Sequence, residues 1–222
     1  MARSRQYRGP AVSGRPAFPA KRSARPPERG TSAARGFTLV ELLFTLSIAT
    51  TLAVVALPVS RAAIDELQTA AAARYVAGLV LNARMDALKR SRSVGFRFEP
   101  AGSDYVFRTF VDGNGNGLRT IDIRSGTDAP LDATQRLADN FPAVRFGLRA
   151  GVPDADGVQA ASTDGVRIGS ARILAAGPDG TATSGTLYLQ GRRAQYAVRV
   201  LGATARTRVL KFESGAGTWT SR

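Results

Sequence analysis

Residues 37–57 read FTLVELLFTLSIATTLAVVAL, an apolar run of 21 residues that contains one charged side chain and is followed by Pro58. An α-helix rises about 1.5 Å per residue, so this run spans roughly 30 Å, the thickness of the hydrocarbon core of a bilayer. The length and composition therefore predict a transmembrane helix over residues 37–57.

The segment before this run predicts its orientation. Residues 1–36 hold nine Arg or Lys and one acidic residue, which is more than half of the net charge of +14. Such basic flanks stay on the cytoplasmic side, so we expect the residues after Pro58 to form an extracytoplasmic domain. The five prolines in this segment predict a disordered leader. A secretory signal peptide has the same general form, but the length of the run and its acidic residue argue against one.

The acidic residue within the run is Glu41. A carboxylate inside a membrane costs about 2.5–3.5 kcal/mol and is expected to have a partner, yet no Lys or Arg lies between Phe37 and Ser60. Cleavage after Gly36 would give Phe37 a cationic amine and place Glu41 one turn into the helix, where the helix dipole favours a negative charge. The amine of a neighbouring subunit would then neutralise Glu41.

Residues 36–42, GFTLVEL, resemble the processing site of type IV pilins and pseudopilins, whose precursors carry a basic leader that ends in Gly. This resemblance implies cleavage after Gly36 by a prepilin peptidase, N-methylation of Phe37 and a role for Glu41 in assembly. It also implies a bacterial inner-membrane protein with a periplasmic domain, whose partners are other pseudopilins or minor pilins. The leader is longer than is usual in the family, which leaves the translation start open.

Residues 58–90 are predicted to continue the anchor as an amphipathic stalk helix, with at most a kink at Pro58. Apolar residues recur at helical spacing at Ala72, Val76, Leu79, Ala83 and Ala87. The polar residues expected to lie off this stripe are Asp65, Glu66, Gln68, Arg74 and Arg84. The spacing of residues 83–94 resembles the GspH/FimT branch of the pseudopilins.

Residues 91–222 are predicted to form a β-rich domain. Short runs of alternating or apolar character predict strands at VGFRFE, DYVFRTFV, AVRFGL, VRIGSARILA, TLYL, QYAVRVL and TRVLKF. The expected fold is α+β, with the long N-terminal helix packed on an antiparallel sheet or small sandwich. We expect no element in 128–164 except at 143–148, and the segment that begins at Ile173 resembles the family's late hairpin.

A candidate metal site lies at Asp112, Asn114 and Asn116, with Asp122 beyond them. Oxygen ligands at alternate positions resemble the start of a calcium loop, although Ile123 stands where such a loop has Glu. Asp-Gly and Asn-Gly also favour tight turns, and we favour the turn. Calcium is the one candidate cofactor.

A candidate DNA-binding site lies at Arg206 and Arg208, which would share one face of a strand and reach phosphates together. The pattern resembles a Gly-Arg-x-Arg motif of DNA-binding minor pilins, with Ala205 in place of the glycine. Alternating arginines more often mark the solvated face of a strand, which is the interpretation that we favour.

The chain contains no Cys and no His. Ser-His-Asp and Cys-His nucleophiles and the usual zinc sites are therefore excluded, and we expect no enzyme. The favoured function is that of a minor pseudopilin in the inner-membrane pseudopilus of a type II secretion system. The alternative is a FimT-like minor type IV pilin that binds DNA in pilus biogenesis or natural transformation.

Overall fold

The computed structural model describes residues 36–222, and the disorder predicted for 1–35 lies outside the described residues. The first element is a 52-residue helix, α1 (Leu39–Arg90), which passes through Pro58. Residues 47–222 form one compact unit, so the helix from Ser47 onwards belongs to the same body as the strands. The first strand begins four residues after the helix ends.

The strands form two antiparallel sheets. The first contains β1 (Val94–Ala101), β2 (Asp104–Val111), β3 (Ala129–Pro130), β4 (Gln135–Arg136) and β7 (Ile173–Ala176), in the order β3-β2-β1-β7, with β4 also paired to β2. The second contains β5 (Arg145–Phe146), β6 (Val166–Arg167), β8 (Gly185–Gln190), β9 (Gln195–Leu201), β10 (Arg206–Glu213) and β11 (Thr218–Ser221), in the order β11-β10-β9-β8-β5, with β6 also paired to β8. Two short helices, α2 (Thr120–Ser125) and α3 (Leu137–Asn140), and a 3₁₀ turn at Gly202–Thr204 complete the domain.

The helix and both sheets share one hydrophobic core. The predicted stripe on α1 is packed into it: Ala72, Val76, Ala83 and Ala87 are buried, and Leu79 is partly buried. The two sheets meet where the ring of Phe146 contacts the rings of Phe98 and Phe107, at centroid distances of 5.5 and 6.1 Å. The predicted α+β fold, a long helix packed on antiparallel sheets, is confirmed.

Two polar residues of α1 do not lie off the packed surface as expected. Asp65 is buried, with 6% of its surface exposed. Glu66 accepts a hydrogen bond from the Tyr196 hydroxyl, and its Oε1 lies 2.9 Å from Lys211 Nζ. The expectation was wrong for these residues because the second sheet covers a wider sector of the helix than a single apolar stripe.

The run VRIGSARILA was predicted as one strand but forms two. β6 joins the second sheet and β7 the first. Between them, Gly169 and Arg172 adopt positive φ angles of 47° and 50°, which turn the chain from one sheet to the other. The late hairpin is present but short. The N–H of Thr183 donates to the Ala175 carbonyl at 2.8 Å, and Ala176 pairs with Ala182, whereas β8 continues into the second sheet.

Residues 128–164 contain more structure than predicted. β3, β4 and α3 lie there in addition to β5, and β11 at the C-terminus was also not predicted. β3 and β4 are two residues long, so they carry no alternation that a sequence pattern can reveal. These two strands form by pairing with β2.

Candidate functional site

The start of α1 is capped by Thr38. Its Oγ1 accepts a hydrogen bond from the backbone N–H of Glu41 at 3.2 Å, and its carbonyl accepts one from the N–H of Leu42 at 3.1 Å. A Thr in this position satisfies a donor that the first turn leaves without a partner. Thr38 was not predicted as a site residue, although the Thr-x-x-Glu pattern of residues 38–41 is a known signature of a helix start.

The three predicted processing and assembly residues lie at this helix start. Gly36 and Phe37 precede the helix, and Phe37 is 78% exposed. A Cβ built on Gly36 would meet no atom of the described residues within 4 Å. Glu41 is exposed and forms no ion pair within residues 36–222. Its carboxylate is thus free to meet a group from another chain.

The chain from Phe37 to Val54 exposes a long series of large apolar residues. The exposed fraction of each residue lies between 47% and 78% in Phe37, Leu39, Val40, Leu42, Leu43, Phe44, Leu46, Ile48, Leu52 and Val54. An apolar surface of this extent indicates a membrane or protein contact. α1 is long and apolar enough to cross a membrane, which is consistent with a single-pass anchor.

The candidate calcium ligand Asp112 closes a tight turn with its own carboxylate. Its Oδ1 accepts hydrogen bonds from the N–H groups of Asn114 and Gly115 at 3.1 and 2.7 Å, and its Oδ2 accepts one from Gly117 at 2.8 Å. Burial by itself raises the pKa of Asp112, but these N–H groups outweigh it and hold the pKa below its usual 3.8. Gly115 and Gly117 have φ angles of 82° and 84°, which L-residues rarely adopt.

The other candidate ligands are placed around the same turn. Asn114 Oδ1 accepts a hydrogen bond from the N–H of Asn116, and Asp122 lies on α2 with a buried Oδ2 that has no hydrogen-bond partner in the described part of the chain. Asp128, which was not predicted, binds the N–H groups of Gly113 and Arg119, each at 3.1 Å. No group of three or more acidic side chains in residues 36–222 is arranged to hold a metal ion. The arrangement favours the turn, and calcium binding stays a prediction.

Arg206 and Arg208 lie two residues apart on β10 and share one face of the second sheet. Register places Arg208 opposite Arg199 of β9, and Arg199 lies in turn opposite Thr186 of β8. Arg199 is paired with Asp156 at 2.6 Å, whereas Arg206 and Arg208 are exposed and have no ion pair among the described residues. We name Arg206 and Arg208 the β10 arginines.

Ala205 precedes these arginines in a left-handed conformation, with a φ of 48°. This conformation suits glycine and costs an alanine about 1 kcal/mol. The residue at this position is nevertheless Ala, so the Gly-Arg-x-Arg motif is not complete here.

A carboxylate that was not predicted as a site residue, Asp65, joins α1 to the turn between β8 and β9. Its Oδ1 accepts a hydrogen bond from the N–H of Arg192 at 2.7 Å, and its Oδ2 accepts bonds from Arg193 and Ala194 at 2.6 and 2.9 Å. Burial by itself raises the pKa of Asp65, but the three N–H groups and nearby Arg149 hold it below its usual 3.8. We name Asp65 and the backbone of residues 192–194 the Asp65 anchor.

Residues 31–57 match the family model of the prokaryotic N-terminal methylation motif. The match covers the predicted cleavage site and the apolar part of α1, and it supports a type IV pilin-like protein that a prepilin peptidase processes and that assembles with other pilins. A search of curated proteins and a search of solved structures each gave no significant match.

Proposed function

We propose that this chain is a minor pseudopilin, a structural subunit of the inner-membrane pseudopilus of a type II secretion system. One observation carries the proposal: the methylation motif leads without a break into a helix whose far half forms part of the core of the β domain. A single helix thus serves both as anchor and as the support of the domain. The basic leader lies in the cytoplasm and the domain in the periplasm.

Assembly uses the exposed start of α1. After cleavage, the amine of Phe37 in one subunit neutralises Glu41 in its neighbour, which offsets the cost of placing a carboxylate among apolar helices. The exposed apolar side chains of residues 37–54 pack against those of other subunits.

The function is that of an assembly subunit and not of an enzyme. The chain has no Cys or His to act as nucleophile or base near neutral pH. The buried carboxylates with lowered pKa, Asp65 and Asp112, bind backbone N–H groups of their own fold. Their hydrogen bonds have a structural use, which leaves them poorly suited to proton transfer.

The proposal is tested by the intact mass and N-terminal sequence of the membrane-extracted protein, with and without a co-expressed prepilin peptidase. We expect a chain that begins at N-methylated Phe37 only when the peptidase is present. A Gly36→Arg variant is the matched control, since the open space around Gly36 lets it fold while the leader is retained. Retention of the leader by the unmodified chain, or cleavage beyond residue 57, would contradict the hypothesis of a pilin-type precursor.

A FimT-like minor pilin that binds DNA is the second candidate, because the β10 arginines are exposed on one face and have no ion pair within the described residues. If this function holds, Arg206→Gln with Arg208→Gln reduces the salt dependence of duplex binding by about two phosphate contacts. The control is Arg119→Gln with Arg124→Gln, which removes the same charge from another exposed segment. Equal losses in both variants, measured by fluorescence anisotropy at several salt concentrations, would reject a specific site.

A further inference from the structure

A cluster of arginines lies beside α1 just after the apolar run. Arg61 is on the helix, and Arg192 and Arg193 form the turn between β8 and β9. These three residues line a groove together with Pro58, Ala62 and Asp65. We name Arg61, Arg192 and Arg193, with Arg149 behind them, the arginine cluster.

When residues 37–57 span the hydrocarbon core, Arg61 lies at the depth of the lipid headgroups, and Arg192 and Arg193, which Asp65 binds, lie just beyond it. Arg61 is four residues beyond the run, about 6 Å along the helix axis, and Asp65 is about 12 Å beyond it. The headgroup layer is roughly 5–8 Å thick on each side of a bilayer. Because the groove extends from Arg192 and Arg193 to Pro58, these side chains lie next to that layer.

Hydrogen bonds hold the backbone of Arg192 and Arg193 beside α1. Asp65 binds the backbone N–H groups of Arg192 and Arg193, and Arg149 Nη2 donates a hydrogen bond to the Arg192 carbonyl at 3.1 Å. The guanidinium groups of Arg192 and Arg193 stay exposed, and neither these two residues nor Arg61 has an ion pair among residues 36–222. Among the described residues, Asp65 is the only carboxylate that lines the groove, and it already accepts three hydrogen bonds from N–H donors.

We propose that the arginine cluster binds the anionic phospholipid headgroups of the leaflet that faces the domain, and so sets the orientation of the domain on the membrane before assembly. The guanidinium fork matches the geometry of a phosphate diester and can bind it through two hydrogen bonds. Arg61, Arg192 and Arg193 are exposed cations without an ion pair among residues 36–222, and they lie at or just beyond headgroup depth, so this ligand is within reach of their side chains. The proposal rests on the membrane anchor in the proposed function.

Its test uses the full chain in lipid nanodiscs. The chain has no cysteine, so Ala150→Cys, an exposed position next to Arg149, accepts a single fluorophore. Quenching by lipids that carry a nitroxide on the headgroup is compared between phosphatidylcholine alone and a mixture with phosphatidylglycerol. With phosphatidylglycerol present, we expect the ratio of domains in contact with the membrane to domains out of contact to increase about fivefold for each arginine that binds the anionic surface. This increase should be smaller at high salt.

Two double variants locate the effect. Arg192→Gln with Arg193→Gln should remove most of the lipid-dependent increase in quenching. This double variant should fold like the unmodified chain, because Asp65 binds only the backbone of residues 192 and 193. Arg119→Gln with Arg124→Gln should keep the increase. The latter pair lies near the far end of α1, since Arg92 binds the Gly113 carbonyl there, roughly 50 Å along the helix from residue 57.

The outcomes separate the two proposals. If quenching is equal in both lipids and the chain resists carbonate extraction, the headgroup contact is overturned. The membrane anchor is then still supported. Equal loss in both double variants also overturns the headgroup contact, because the effect is then one of net charge. A chain that carbonate releases from the bilayer overturns the anchor and, with it, the headgroup contact.

Discussion

Replacing Asp65 with Asn lowers the free energy of unfolding by about 3 kcal/mol. The amide keeps one acceptor oxygen, but its NH₂ group faces N–H donors of residues 192–194, and each buried donor left without a partner costs about 1–3 kcal/mol. The loss is measured by urea unfolding of the full chain in detergent. The single Trp, Trp219, reports on the second sheet because its ring packs against Tyr188 and Phe212.

Asp86→Asn is the matched control for this prediction. Asp86 lies on the same helix, its side chain is 44% exposed, and its only ion pair in the described residues is to Lys89 at 3.9 Å. Such a pair contributes less than about 1 kcal/mol, so this variant should unfold almost like the unmodified chain. If Asp65→Asn unfolded at the same urea concentration as Asp86→Asn, the Asp65 anchor would make no measurable contribution to the free energy of unfolding.

The effect of Asp65 also depends on pH in a direction that the structure determines. Three N–H donors hold its folded pKa below 3.8, so its carboxylate stabilises the fold above the unfolded value of about 3.9. That stability is lost as the pH falls below about 4 and through the folded pKa. The difference between the unmodified chain and Asp65→Asn should therefore be largest near neutral pH and shrink below pH 4, which repeated unfolding at both pH values would show.

Replacing Glu41 with Leu reduces incorporation into a filament by about a hundredfold, while cleavage after Gly36 continues. A carboxylate within the membrane costs about 2.5–3.5 kcal/mol unless it is paired, so pairing with a neighbouring amine on assembly favours the assembled state by up to that amount. Leu has no such cost in the free subunit, so its assembly lacks this gain. The measurement is the fraction of mature chain that cross-links to co-expressed pilin-type subunits.

Glu41→Asp provides the comparison, because it keeps the charge and shortens the side chain by one methylene. It should assemble better than Glu41→Leu and less well than the unmodified chain, with equal amounts of mature protein in all three. If Glu41→Leu assembled as well as the unmodified chain, the exposed carboxylate at the helix start would have no part in subunit contacts.

Local patterns in the sequence were sufficient to predict the anchor, the stripe on α1 and the central strands. Helical spacing identified the buried Ala72, Val76 and Ala83, and runs at 94–99, 104–111 and 195–201 became β1, β2 and β9. These features depend on the repeat of the helix or strand itself, which neighbouring residues reveal. The N-terminal motif could also be recognised for this reason, since Gly36 to Glu41 are consecutive.

Only the tertiary structure decided which distant groups meet. Asp65 binds N–H groups more than 120 residues away in the chain, and nothing in the local pattern distinguishes it from a solvated acid. The same holds for the run 166–175, whose halves pair with strands of different sheets. The donors in these hydrogen bonds are backbone N–H groups, which every residue except proline carries, so the partners follow from the packing of helix and sheets and not from residue type.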